Sequence, residues 1–294
     1  MKIKNFSKRE YNEFKELHID TINTEAILYL IPSKDRWYKS YKLFKDFHIN
    51  EGTTFSNKLA TINTLHDYKK DINVDELVIP DELCSIDYNI QGYLMDFIRS
   101  NNLSKVLINK KVTLEEKIHY LKQIGNLLNK LKLLRKNNNF KDFYLCDLHE
   151  DNIVVDCDGK IRIVDLDSCK IGGNLPSPSK YLVNLRRKNI VNDKYKFDNY
   201  CDDLIAPNEE TDNYCYNIIL LNFLYQDNIC KLNLDEFYNY LDYLSRIGID
   251  KNLINVFYNL YTNKSNENPV DYLDYLDDNC YKAMKKIYEY KKGK

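Results

Sequence analysis

The spacing of apolar and polar positions changes character near residue 99. Before that point, short runs rich in β-branched and aromatic residues at 26–31, 37–47 and 93–98 read as strands. One stretch departs from this: over 55–69, Leu59, Ile62 and Leu65 recur at helical spacing, so a single helix is expected among the strands. After residue 112 the period is mainly helical. Thr113-Leu-Glu-Glu116 sets a hydroxyl and a carboxylate at capping-box separation. Behind it, Leu114, Ile118, Leu121, Ile124, Leu128 and Leu131 make one apolar stripe suited to core packing. Further helices are expected at about 212–224, 234–246, 251–261 and 269–290, and the one strong β signal of this half lies at 143–165. The expected organisation is α+β: a small β-rich N-terminal region over 1–98, then a larger helical region over 99–294, with 99–112 as the connection. No internal repeat or low-complexity tract interrupts it.

Composition narrows the partners. Of 294 residues, 44% are apolar, enough for a real core. The 43 Lys and Arg balance 44 Asp and Glu, which argues against a nucleic-acid partner held by bulk basicity. No apolar run approaches a membrane-spanning length; the longest, 218–224, is broken by Asn222. The opening MKIKNFSKRE has no apolar core of a secretion signal, so a cytoplasmic location without membrane contact is expected. Eight cysteines form no CxxC pair, which fits idle thiols in a reducing compartment. With eight glycines in the whole chain, no glycine-rich phosphate loop is present.

The stretch that carries chemistry is 143–173, FYLCDLHEDNIVVDCDGKIRIVDLDSCKIGG. Ile153-Val154-Val155 and Ile161-Arg162-Ile163-Val164 are β-type runs, and Asp158-Gly159 between them is a hairpin turn signal. About four residues lead out from Asn152 and about four lead back to Asp165, so this register brings Asn152 and Asp165 to one end. Asp147 lies five residues before Asn152, within reach of the same end. Two carboxylates and an amide oxygen there would suit Mg²⁺, which prefers hard oxygen ligands and fills its remaining positions with water or phosphate oxygens. A surface hairpin whose Asp and Asn merely shape turns is the competing reading.

The spacing is more specific than such a turn. D-L-H-x-x-N, with the first Asp of an apolar-D-x-D run thirteen positions after its Asn, resembles the catalytic loop and metal-binding strand of the protein-kinase-like superfamily. The D-L-H-x-x-N form is shared with its aminoglycoside phosphotransferase branch. The resemblance implies a bilobal protein-kinase-like fold that binds ATP and Mg²⁺. It implies that Asp147 orients the acceptor hydroxyl and takes its proton, that Asn152 holds Mg²⁺, and that Asp165 bridges metal to the β- and γ-phosphates. Gly92-Tyr-Leu-Met95-Asp96-Phe97-Ile98 resembles the fifth strand and hinge, with Met95 as gatekeeper and the backbone of Asp96, Phe97 and Ile98 against adenine. Tyr41-Lys42-Leu43-Phe44 resembles the third strand, whose Lys contacts the α- and β-phosphates. Asp212-Asn-Tyr214 resembles the Asp-headed buried helix, and Ala206-Pro207-Asn208 the end of the activation segment. The likeness covers roughly 25–225.

Five departures stand out. The nucleotide-covering turn, IPSKDRW at 31–37, has no glycine, and Pro32 removes a donor; Ser33 or Lys34 are the substitutes on offer. The helix that would supply a Glu to the strand Lys has Lys58 at that place, which leaves Lys42 to be anchored otherwise, with Glu51 one candidate. Lys39 and Lys45 compete with Lys42 for the phosphate role, from the opposite strand face. Leu145-Cys146-Asp147 lacks the Arg that pairs with a phosphorylated activation loop, so the resemblance implies no such switch. His149 replaces the catalytic-loop Lys, either approaching the γ-phosphate or acceptor or orienting Asp147. Asp167 replaces the Gly of D-F-G, either as a second metal contact or as a hydrogen-bond partner within the loop.

Beyond Asp167, Ser177, Ser179 and Tyr181 are candidate autophosphorylation sites, and Arg186-Arg187-Lys188 is a basic run that could attract an acidic substrate. The expected activity is γ-phosphoryl transfer from ATP to a hydroxyl, first as a Ser/Thr protein kinase-like enzyme. The alternatives are a small-molecule kinase, for which the acidic residues Asp271, Asp274, Asp277 and Asp278 could attract a cationic acceptor, and a pseudokinase acting as a binding module. Oligomeric state is not legible.

Overall fold

The computed structural model describes residues 1–17, 25–32, 38–174, 209–261, 267–276 and 286. The turn at 33–37, the segment holding Ser177, Ser179, Tyr181 and 186–188, the stretch 206–208, and Asp277 and Asp278 lie outside the described residues. Contacts divide the chain into two units: Met1–Ser100 with Arg162–Ser177, and Asn101–Ile161 with Pro178–Lys294. The sequence pattern had assigned the D-x-D stretch to the second region; its contacts group it with the first hundred residues.

The first unit is built on strands β1 (Lys2–Phe6), β2 (Lys15–Glu16), β3 (Ala26–Pro32), β4 (Tyr38–Phe44), β5 (Glu82–Ile86) and β6 (Asn89–Asp96), in the order β1-β5-β6-β4-β3-β2. Its helices are the short α1 (Lys8–Tyr11), α2 (Asp46–Ile49) and α4 (Lys69–Ile72), and the longer α3 (Thr53–Asp67). Strand alternation sorts the side chains of β4. Tyr41 and Leu43 join Phe6, Tyr29, Cys84 and Leu94 in one cluster, whereas Phe44 joins Ala26, Ile62, Tyr93 and Met95 in another. The strand expected over 37–47 stops at Phe44, where the chain turns into α2. Neither β1 nor β5 is among the expected strands: β1 buries only Phe6, so it has no alternating apolar pattern.

Gly92 sets the β4–β6 spacing. A Cβ there would stand 1.8 Å from the Lys42 carbonyl oxygen, so only glycine admits this approach, which pairs Tyr93 with Lys42 in register. The Arg162–Ser177 segment is tied to the same unit by backbone bonds: Val78 N donates to Ile163 O at 3.0 Å and Ile163 N to Glu76 O at 2.7 Å. A single 3-10 turn follows over Leu166–Ser168.

The second unit carries β7 (Ser100–Asn102), α5 (Leu103–Ile108), α6 (Leu114–Leu134), β8 (Ile153–Asp156), the start of β9 (Ile161–Ile163), α7 (Glu209–Tyr225), α8 (Leu234–Arg246) and α9 (Lys251–Tyr261). The expected connection 99–112 is therefore partly regular structure. The capping box of α6 is present: Thr113 Oγ1 accepts from Glu116 N at 3.2 Å, and the Glu116 carboxylate accepts from Thr113 N at 2.8 Å. Its apolar stripe is buried from Ile118 onward, and Tyr216 of α7 donates to Leu121 O at 2.7 Å. Of the last expected helix, Pro269–Leu276 is instead a 3-10 turn, while Lys286 is α-helical. Among the described residues, no helix is long and apolar enough to cross a membrane.

Candidate functional site

In the first unit, Lys42 rises from β4 into a cluster of charged groups. Its Nζ lies 2.5 Å from Asp165 Oδ1, 2.7 Å from Asp167 Oδ2 and 3.5 Å from Glu25 Oε1, with 7% of the side chain exposed. Lys58, from the middle of α3, reaches the same carboxylates: its Nζ is 2.9 Å from Asp167 Oδ1 and 2.5 Å from Glu25 Oε1. The Tyr93 hydroxyl donates to Asp167 Oδ2 at 3.1 Å and the Ser168 hydroxyl to Asp167 Oδ1 at 3.2 Å. Asp165 sits in the left-handed backbone region at φ 63°, a conformation Asp tolerates better than most residues.

The ionisation of these groups follows from who faces whom. Burial opposes the charge on Lys42, but Asp165 and Asp167 overcome it and hold the ammonium well above its ordinary range. Lys58 is likewise raised against burial, chiefly by Asp167. Burial also disfavours the Asp167 carboxylate, yet Lys42 and Lys58 together hold it below the usual carboxylate range. Burial and then the neighbouring Asp167 charge push Asp165 up to about 6, against the pull of Lys42. Asp165 is thus the less satisfied of the two carboxylates, and with a third of its side chain exposed it is also the more accessible.

In the second unit, Asp147, His149 and Asn152 share one loop. Asn152 Nδ2 donates to the Asp147 carbonyl at 3.0 Å and to Asp147 Oδ2 at 3.2 Å, which leaves Asn152 Oδ1 as the atom available to a cation. The loop is held from below by Asp212 of α7. Its two carboxylate oxygens accept from Leu145 N and Cys146 N, each at 3.0 Å. Cys146 adopts φ 65°, which turns successive N–H groups toward one anion. His149 Nε2 stands 3.8 Å from Asp147 Oδ1, beyond hydrogen-bond length, while His149 Nδ1 accepts from Asp151 N at 3.3 Å. The imidazole is therefore oriented by its own loop. The hairpin behind Asn152 turns at Asp158-Gly159, as the sequence signal indicates, with Gly159 at φ 74°. It is clamped to α6 by Gln123, whose Nε2 donates to Gly159 O at 2.9 Å and whose Oε1 accepts from Ile161 N at 3.0 Å.

Of the expected adenine contacts, Met95 is buried in the cluster with Ala26, Phe44 and Tyr93, and β6 ends at Asp96. Phe97 and Ile98 follow in irregular backbone, where Ile98 O accepts from the Ser100 hydroxyl at 3.0 Å. Lys39 is occupied by Asp81 and Asp96, and Lys45 precedes α2, so Lys42 is the strand lysine that meets Asp165. Glu51 pairs with His48 at 3.1 Å, so the suggested Glu51 partner for Lys42 is replaced by Asp165, Asp167 and Glu25. A metal role for Asp167 does not fit its surroundings, because ammonium groups take both oxygens. Glu25 and Tyr93 were missed as members of this cluster. Glu25 precedes β3 with no motif around it, whereas the Lys42–Tyr93 register could have pointed to Tyr93.

No protein-family model matches the sequence, and no curated protein matches it. Among solved structures, the chain is similar to the apo structure of a pseudokinase, with a TM-score of 0.53 over 95% of this chain and 97% of that one, at 8% identity. At so low an identity the likeness speaks for the fold: the chain has a protein-kinase-like fold, with a β-rich N-terminal region and a helical C-terminal region.

Proposed function

We propose that this chain is an ATP- and Mg²⁺-dependent phosphotransferase that moves the γ-phosphoryl group to a hydroxyl, most simply a Ser/Thr protein kinase-like enzyme. The observation that carries the reading is the Lys42–Asp165 ion pair, a buried ammonium beside an accessible carboxylate, within a protein-kinase-like fold. The donor chemistry fits Mg²⁺. Asp165 has an oxygen beyond the one Lys42 takes, and Asn152 keeps its Oδ1. When bound, the metal neutralises phosphate charge, which supplies much of the rate in this chemistry.

The remaining work falls to the chain's own residues. Lys42 would bind α- and β-phosphate oxygens, and the backbone of Asp96, Phe97 and Ile98 would hold adenine beneath Met95. Asp147, held by Asn152 and by the Asp212-anchored loop, would orient the acceptor O–H and take its proton. The acceptor oxygen then forms the new P–O bond as the bond from γ-phosphorus to the β-bridging oxygen breaks, leaving ADP. His149 would serve as a local orienting group beside Asp147.

A pseudokinase acting as a binding module is the second reading, favoured by the pseudokinase whose fold this chain shares and by Lys58 at the place of the helix Glu. Incubation with γ-labelled ATP and panels of protein and small-molecule acceptors separates the readings. Transfer by wild type and its loss, on the order of a thousandfold or more, in Asp147→Asn supports catalysis; no label on any acceptor supports the binding module. Which panel is labelled decides between a protein and a small-molecule acceptor. Thermal shift with Mg·ATP tests the nucleotide site itself, and equal shifts for wild type and Asp165→Ala remove the support for a metal there.

A further inference from the structure

The charged cluster of the first unit holds more than a phosphate-binding lysine. One carboxylate, that of Asp167, is wholly buried and collects four donors: Lys42 and Tyr93 on Oδ2, Lys58 and Ser168 on Oδ1. Those donors come from strand β4, strand β6, helix α3 and the turn after Asp165. The Phe44 ring lies against both ammonium groups, with Lys42 Nζ 5.1 Å and Lys58 Nζ 5.6 Å from its centroid. A buried ammonium needs a fixed counter-charge, and two buried ammonium groups around one ring would repel without an anion between them. Asp167 is that anion for both lysines. Asp165, a third exposed, reaches only Lys42; Glu25 reaches both lysines but is also a third exposed and stands 3.5 Å from Lys42 Nζ, so Asp167 is the wholly buried anion of the set.

We propose that Asp167 is a positioning residue that fixes the Lys42 ammonium for nucleotide phosphate, with Lys58 as the second cation that pairs with the Asp167 carboxylate and holds it in place. The division of labour follows from geometry. When phosphate approaches, Lys42 can exchange Asp165 for phosphate oxygens while Asp167 Oδ2 keeps hold of it. Asp165 is thereby freed toward a metal, whereas Asp167, saturated by donors, stays in place. The lysine's anchor thus sits two residues beyond Asp165, on the same turn, and α3 contributes a cation to it. This inference rests on the proposed nucleotide site, and the test keeps the two separable.

The first readout needs no nucleotide. Brief acylation of the folded protein with an amine-reactive ester, resolved by mass spectrometry, reports how firmly each lysine is held. In Asp167→Asn, Lys42 labelling is expected to rise about tenfold over wild type, while exposed Lys231 labels unchanged. Unchanged Lys42 labelling in a folded Asp167→Asn overturns the proposal whether or not ATP binds. The second readout is Mg·ATP affinity. Asp167→Asn is expected to weaken it about tenfold or more. The exchange variant Lys58→Glu/Asp167→Asn, which returns one carboxylate to face Lys42 from α3, is expected to regain most of that loss and restore Lys42 protection. This variant also serves if Asp167→Asn alone does not fold. An exchange variant that folds but recovers neither readout overturns the positioning role and leaves Asp167 a structural counter-ion only. Absence of Mg·ATP binding by wild type, with Lys42 labelling responding as expected, refutes the nucleotide site and with it a positioning role toward phosphate, but keeps Asp167 as the lysine anchor.

Discussion

The two clusters of candidate residues are held by opposite means. Around Lys42 the first unit relies on full charges: two buried ammonium groups and three carboxylates, with Asp167 at the centre. Around Asp147 the second unit relies on backbone: a loop whose N–H groups fall on Asp212, and a side-chain amide bridging Asn152 to Asp147. The charged arrangement places a cation firmly but punishes the loss of any member, because what remains is an uncompensated buried charge. The hydrogen-bonded arrangement loses less with each deletion, since the orphaned groups are neutral peptide dipoles. This suits the proposed roles. A lysine meeting phosphate needs its charge anchored, whereas a carboxylate accepting a proton needs orientation without a strong cation beside it.

The contrast is tested most severely at Asp167. Asp167→Asn leaves Lys42 and Lys58 without the buried anion they share, with only the part-exposed Glu25 still reaching both, and should cost about 3–5 kcal/mol, read by urea unfolding at neutral pH. Adding Lys58→Met should recover more than half of that loss, since one buried cation then remains, with Asp165 beside it. The pH dependence has a defined sign. The folded-state pKa of Asp167 is depressed, so its stabilisation is fully present above the unfolded carboxylate value near about 3.9 and is lost as pH falls toward the folded value. Lys42 and Lys58 are raised, so theirs is fully present below about 10.4 and fades as pH rises through the folded values. The stability gap between wild type and Asp167→Asn should therefore be level from about pH 7 to 9 and narrow above that; between about pH 6 and 4 it should widen, because the Asp167 charge that pushes Asp165 up to about 6 makes wild type take up a proton there that the variant does not, and below that it should narrow as Asp167 itself is protonated. A gap that keeps widening below about pH 3.9 would contradict the ion-pair account.

The two clusters also differed in how far the sequence disclosed them. The Asp147 loop was legible because its residues are close in sequence: a catalytic-type motif, a hairpin turn and a strand pattern all lie within 143–165. Asp212 was legible through the resemblance of Asp212-Asn-Tyr214 to an Asp-headed buried helix, although the helix itself begins earlier, at Glu209. Lys42 could be chosen over Lys39 and Lys45 from strand alternation and its neighbours. Lys58 was legible only as a conflict, a cation where a carboxylate was expected. Its resolution required knowing that residue 167, 109 positions later, lies against α3. Glu25 joins from a position with no periodic signal at all. Local pattern reports which face a residue takes, but a buried charge is explained by its partner, and here the partners are distant in sequence. The same limit explains β1, whose one buried residue gave no alternation and whose parallel pairing with β5 is non-local.

A smaller loss is expected on the hydrogen-bonded side. Asp212→Ala orphans the N–H groups of Leu145 and Cys146, both buried, and should cost about 2–4 kcal/mol. The left-handed Cys146 backbone would lose the anion that fixes it, so phosphoryl transfer should fall by more than the folded fraction does. Comparing activity per folded molecule with Mg·ATP affinity checks this. Affinity should fall by less than activity does, because Lys42 and its carboxylates belong to the other unit and only Asn152 lies on the affected loop. An affinity loss as large as the activity loss would break the separation between the clusters.

The smallest effect, and the sharpest view of how neutral groups hold the second unit, is expected at Gln123. Its amide uses both ends, donating to Gly159 O and accepting from Ile161 N, and so fixes the hairpin that leads from Asn152. Gln123→Ala removes both bonds, but the site is only part-buried and water can reach the freed groups, so the cost should be about 1 kcal/mol. Gln123→Glu distinguishes the two ends. The carboxylate can still accept from Ile161 N–H, but near neutral pH its second oxygen faces the Gly159 carbonyl, acceptor against acceptor. It should therefore be no more stable than Gln123→Ala at pH 7. Protonating the introduced carboxyl restores a donor, so the Gln123→Glu deficit should shrink as pH falls toward about 4, while that of Gln123→Ala should not. Parallel thermal unfolding of the two variants across that range reads the difference directly. If both deficits move together with pH, the hairpin is held by something other than this amide.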